Sequence, residues 1–136
     1  METMAKKQLK VDVDKPVLYF VYGTLKSQYG NHRVLGNNPE FKGEFSTKEI
    51  YTLFDGGFPV VERGGETSIK GELYLVSDKE DILNVFSLEG STPVQGSSEN
   101  WYDWDFCETP SGKAVIFVMN EGTSGRKDIL ESGEWL

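Results

Sequence analysis

The chain has 136 residues, a single cysteine, a single histidine and a formal net charge of −8. A length of this order suits one domain able to bury roughly two-thirds of its unfolded surface without a disulfide or metal staple. Cys107 alone excludes an internal disulfide, and with only His32 beside it no Cys/His zinc set can be assembled.

The acidic balance argues against nucleic acid as a partner, because a phosphate backbone would be repelled. No apolar run approaches the ~20 residues needed to span a bilayer. The N-terminus lacks the apolar stretch of a signal peptide, so a cytoplasmic location is expected.

Residues 1–15 are polar and lysine-rich without a clear period, and are expected to form a disordered tail. Residues 16–136 are expected to form the single domain. The run "VLYFVY" from Val17 is apolar on both faces and predicts a central strand, which stops at Gly23. "GNHRVLG" predicts a short helical turn. "EFKGEFST" and "EIYTLF" predict strands, the second closed by the turn signal "DGG". "FPVVER" and "SIKGELYLV" read as a further pair around "GGETS".

"SDKEDILNVFSLEG" predicts the main helix. Ser77 and Glu80 have capping-box spacing, Asp78, Glu80 and Asp81 suit the positive end of the dipole, and Gly90 suits the stop. Ile82, Val85 and Phe86 supply the apolar stripe. After the loop "STPVQGSSEN", "WYDWDFC" alternates, with Tyr102, Trp104 and Phe106 on a core face and Asp103 and Asp105 on a solvated one. "AVIFVM" predicts a last buried strand. The fold class expected is α+β, mostly β, with one main helix, short helical turns and the strands closed into a small mixed barrel.

Two features carry possible chemistry. Glu89 lies three residues after Phe86, four after Val85 and seven after Ile82, so a helix reaching that far turns its carboxylate toward the core. Burial would raise its pKa into the range of a general base. The alternative is that the helix frays before Gly90 and Glu89 faces solvent. The turn "YGTLK" offers successive backbone N–H groups that can form an anion nest, or it is simply a tight turn. It matches neither a Walker loop nor a dinucleotide fingerprint. Cys107, with no histidine near it in sequence, reads as an inert packed thiol, and His32 as structural or exposed.

Taken in order, "VYGTLK", "NH", "GGFPVV", "GELY", "LEG" and a tyrosine after a loop resemble the γ-glutamylcyclotransferase-like family, which includes AIG2-like proteins and γ-glutamylamine cyclotransferases. The resemblance runs from about Pro16 to the ending "SGEW". It implies a small mixed β-barrel with helices packed on it and a pocket lined by Tyr22, Gly23, Thr24, Leu25 and Tyr102. It implies Glu89 as general base for ring closure of a γ-glutamyl amine or amino acid to 5-oxoproline, with no metal, nucleotide or other cofactor. The segment Ser91 to Tyr102 is expected to cap the pocket and set the leaving group. Two positions depart from the family's usual pattern. Phe86 stands where an Asp is usual, and Trp104 where Tyr-x-Arg would place an Arg. A catalytically silent homologue, acting as a binding or interaction module, is the other reading.

Overall fold

Strand β1, Val17–Val21, is buried along its whole length. Its neighbours on both sides explain why its sequence is apolar throughout. It pairs antiparallel with β5, Lys70–Val76, and parallel with β7, Gly112–Val118. On one face Val17, Tyr19 and Val21 join Phe117 and the helix residues Ile82, Val85 and Phe86. On the other, Leu18 and Phe20 join Leu53, Val61, Ile116 and Val118. The alternation of side chains along a strand thus feeds two apolar layers from one run.

The computed structural model describes residues 9–23, 30–36, 38–55, 59–120, 122, 125 and 128–134. Strands β2, Glu40–Ser46, and β6, Asp103–Thr109, complete a mixed sheet in the order β2-β5-β1-β7-β6. Strands β3, Tyr51–Asp55, and β4, Pro59–Arg63, form a separate antiparallel pair. A short 3-10 helix, Gly30–Leu35, occupies the position of the predicted helical turn.

The sheet, one strand pairing and the tail depart from expectation. The five-stranded sheet is not closed into a barrel: among the described residues no ladder joins β2 to β6. It nevertheless curls, so that Phe45 of β2 and Cys107 of β6 line one cavity of about 170 Å³. "FPVVER" and "SIKGELYLV" do not pair with each other, since β4 pairs with β3 while β5 lies between β2 and β1. Part of the expected tail is docked. Val11 is buried, and its N–H donates to Pro93 O at 2.8 Å; Gln95 N–H donates to Leu9 O at 2.9 Å. A strand-like bridge onto the loop before β6 therefore orders residues that show no period of their own. Residues 1–8 lie outside the described residues.

Helix α1, Lys79–Leu88, packs Ile82, Val85 and Phe86 on the sheet. Its N-cap is Asp78, not Ser77: the Asp78 carboxylate accepts from the N–H groups of Glu80 and Asp81. Its other end is a Schellman motif. Ser91 N–H donates to Phe86 O at 2.9 Å and Gly90 N–H to Ser87 O at 3.0 Å, with Gly90 at φ +61°. The left-handed residue required there explains the glycine.

Candidate active site

Glu89 is the C-cap of α1, so the helix reaches it without fraying earlier. Its N–H donates to Val85 O at 3.2 Å. The residue is half-buried, and desolvation pushes its carboxyl from the ordinary 4.5 up to about 7.

Tyr22 follows directly on β1 and is buried. Its hydroxyl donates to Phe117 O at 2.6 Å. Its pKa is raised well above the ordinary phenol, first by desolvation, then by the neighbouring Tyr102 and the charge of Glu89. A hydrogen bond with Tyr102 adds to this, and the Val61 N–H opposes it. Tyr22, Tyr102 and Glu89 therefore form one electrostatic group, drawn from the end of β1, the residue before β6 and the end of α1. Tyr102 is also buried, and its hydroxyl lies 3.2 Å from Pro59 O. Gly23 sits against the same proline: a Cβ there would stand 2.5 Å from Pro59 Cγ, so no side chain fits without displacement. Of the six residues expected in the site, Glu89, Tyr22, Gly23 and Tyr102 are thus brought to one end of the sheet. Thr24 and Leu25 lie outside the described residues, as does the side chain of His32.

The geometry also reveals a part of the region that single residues do not announce. Arg63, at the end of β4, donates from Nε to Asp105 Oδ1 and Oδ2 at 3.0 and 3.1 Å. Its Nη2 reaches Asp105 Oδ1 at 2.7 Å, Asp103 Oδ2 at 3.0 Å and Trp104 O at 3.1 Å, and its Nη1 reaches Asn120 Oδ1 at 2.5 Å. Asp103 and Asp105 are consequently partly buried ion-pair partners and not the solvated face expected from their alternation. Asp103 also accepts from Gly96 N–H at 2.9 Å and from Asn100 Nδ2 at 3.3 Å. Desolvation pushes the Asp103 carboxyl up, but the Gly96 N–H, Arg63 and the Trp104 N–H outweigh it and hold it below its ordinary value. The loop between α1 and β6 is tied to the sheet through this cluster.

Cys107 is half-buried. Desolvation, followed by the charges of Asp105 and Glu108, pushes its thiol up to about 12, against the pull of a backbone hydrogen bond. It has no thiolate character near neutral pH. Among the described residues no His/Cys/Asp/Glu group is arranged to hold a metal ion, and no helix is long and apolar enough to cross a membrane.

The family model described as gamma-glutamyl cyclotransferase, AIG2-like, matches residues 19–136. The chain belongs to this family. A Vibrio cholerae protein named "Putative gamma-glutamylcyclotransferase" is 37% identical over 119 residues, which cover 87% of this chain and 94% of that protein. The crystal structure of an uncharacterized protein from Pyrococcus horikoshii superposes with a TM-score of 0.67 at 26% identity, covering 87% of this chain and 88% of its own. An aig2-like protein from Mus musculus superposes with a TM-score of 0.65, covering 90% of this chain and 89% of its own. At 21% identity it is evidence of the shared fold alone.

Within this γ-glutamylcyclotransferase-like chain the two departures, Phe86 and Trp104, are both fully buried and touch each other. Their rings meet edge to face with centroids 6.4 Å apart.

Proposed function

We propose that the chain converts a γ-glutamyl amine or γ-glutamyl amino acid into 5-oxoproline and the free amine or amino acid. What supports this reading is Glu89 at the C-cap of α1, its carboxyl raised to about 7 by desolvation and its charge acting on Tyr22. A base with that pKa is half ionised near neutral pH, where proton acceptance and availability are balanced.

The substrate's α-ammonium group loses a proton to Glu89. The freed amine nitrogen attacks the γ-amide carbonyl carbon of the same molecule and closes a five-membered ring. The bond from that carbon to the leaving nitrogen breaks as Glu89 returns the proton to that nitrogen, and the ring nitrogen gives up its second proton to the released amine, which departs as the ammonium. Tyr22 stays neutral at this pH, because its own ionisation is strongly disfavoured, and so places no second negative charge beside the base. The Gly23 N–H holds the α-carboxylate or the developing oxyanion. Folding the substrate so that amine and carbonyl meet lowers the barrier by several kcal/mol or more. The reaction requires no cofactor, because the nucleophile belongs to the substrate.

The test is an assay of free 5-oxoproline over a panel of γ-glutamyl amino acids and γ-glutamyl-lysine. Release from at least one member supports the reading. Saturable binding of panel members without release would instead support the silent binding module.

A further inference from the structure

Trp101 is 59% exposed although it lies between the buried Tyr102 and the helix end. Its position is fixed on both sides. Its N–H donates to Gly90 O at 2.7 Å, one residue after Glu89, and its ring meets Tyr102 edge to face at 4.8 Å. A large indole held this firmly, with most of its surface left in water, is a preformed apolar wall.

The wall borders a cavity of about 250 Å³ whose lining includes Ser97, Asn100, Asp103, Met119 and Asn120. The cavity lies at the same end of the sheet as the candidate site. The parallel register Tyr19↔Val115 puts Tyr22 level with Val118, one residue before Met119, so β1 and β7 run out at this same end. Asp103, the one charged side chain among the described lining residues, has its charge met by Arg63 and its other oxygen by Gly96 N–H and Asn100 Nδ2. The cavity therefore presents a flat aromatic surface among neutral polar groups, the usual make-up of a small-molecule subsite.

We infer that this cavity receives the leaving group of the γ-glutamyl substrate, and that Trp101 selects leaving groups with a flat apolar body by stacking on them. The inference rests on the proposed cyclisation and extends it to a specificity-determining residue.

The test compares two neutral substrates differing only in that body, γ-glutamyl-benzylamide and γ-glutamyl-methylamide. The parent protein should prefer the benzylamide in kcat/KM by about tenfold or more, as expected for one aromatic contact. Trp101→Ala should reduce that ratio to within about twofold of unity, and Trp101→Phe should restore part of it. If Trp101 merely props Tyr102, both amides lose rate together and the ratio is retained, which overturns the inference. Calorimetric binding of both amides to Glu89→Gln and to Glu89→Gln/Trp101→Ala separates this inference from the proposed reaction. Absence of 5-oxoproline from either amide would count against the cyclisation. A binding ratio insensitive to Trp101 would count against the wall.

Discussion

Phe86 of α1 and Trp104 of β6 meet edge to face at 6.4 Å in the core, and Trp104 Nε1 donates to Thr92 O at 2.9 Å. These are the two positions at which the family resemblance leads one to expect an Asp and an Arg. An apolar pair can occupy such a site at no loss of stability, because a buried ion pair must first overcome the desolvation of both charges. Phe86 and Trp104 therefore fill one apolar layer as a mutually compatible pair.

A double-mutant cycle tests this. Phe86→Asp and Trp104→Arg should each destabilise the protein by about 3 kcal/mol or more, since each leaves an uncompensated charge in an apolar layer. The double variant should lose less than the sum of the two, by about 1 kcal/mol or more. Denaturant unfolding of the four proteins provides the comparison. Simple additivity would show that the two sites do not act as a pair.

Arg63 joins β4 to β6 and to the loop that carries Trp101. Arg63→Met should cost about 3 kcal/mol, because it leaves Asp103 and Asp105 partly buried without their cation. The acid limb should change as well. Asp103 titrates below its ordinary 3.8 in the folded protein, so the stability it contributes is present above that pH and is lost as pH falls through the folded value. In Arg63→Met the acid-induced loss should be smaller, as read from unfolding midpoints between pH 5 and pH 2 on the scale of ordinary carboxylate titration.

Ser91 Oγ, two residues past Glu89, is buried without a hydrogen-bond partner among the described residues. Removing such a hydroxyl removes its desolvation cost. Ser91→Ala should leave stability unchanged or raise it by up to about 1 kcal/mol in thermal unfolding, whereas a clear loss would reveal a partner for the hydroxyl.

The elements governed by local periodicity were legible in the sequence. The helical stripe Ile82, Val85, Phe86 and the strand face Tyr102, Trp104, Phe106 depend only on neighbours along the chain. What was not legible depends on distant residues. Arg63 lies about forty positions from Asp103 and Asp105, so nothing local distinguishes those carboxylates from a solvated face. The partners of β4 are chosen by sheet order, which turn signals do not encode. Closure of a sheet is likewise a property of curvature and edges, and no single strand records it. Asp78 displaced Ser77 as the cap because both residue types can accept from the first N–H groups of the helix. Glu89 was legible only as a choice between two orientations, and the Schellman turn at Gly90 decides it by carrying the helix to its C-cap.

The raised carboxyl of Glu89 has a thermodynamic signature. The folded protein holds this proton up to about 7, whereas the ordinary carboxyl releases it near 4.5. Between those values the folded state binds more protons than the unfolded one, so the favourable contribution present below about 4.5 is lost as pH rises through about 7. The stability of Glu89→Gln relative to the parent should therefore improve over that window. If the difference between the two proteins stays flat with pH, the carboxyl is not desolvated.

The central claim is that Glu89 accepts the amine proton, and the most direct test is the pH profile of 5-oxoproline release by the parent protein and by Glu89→Gln. For the parent, kcat/KM should rise about tenfold per pH unit on the acid side and break near pH 7, apart from the titration of the substrate's own amine. Glu89→Gln should retain its thermal stability, lose about two orders of magnitude or more in rate, and lack that break. A Glu89→Gln protein that releases 5-oxoproline at the parent rate, with the same break near pH 7, would contradict the claim.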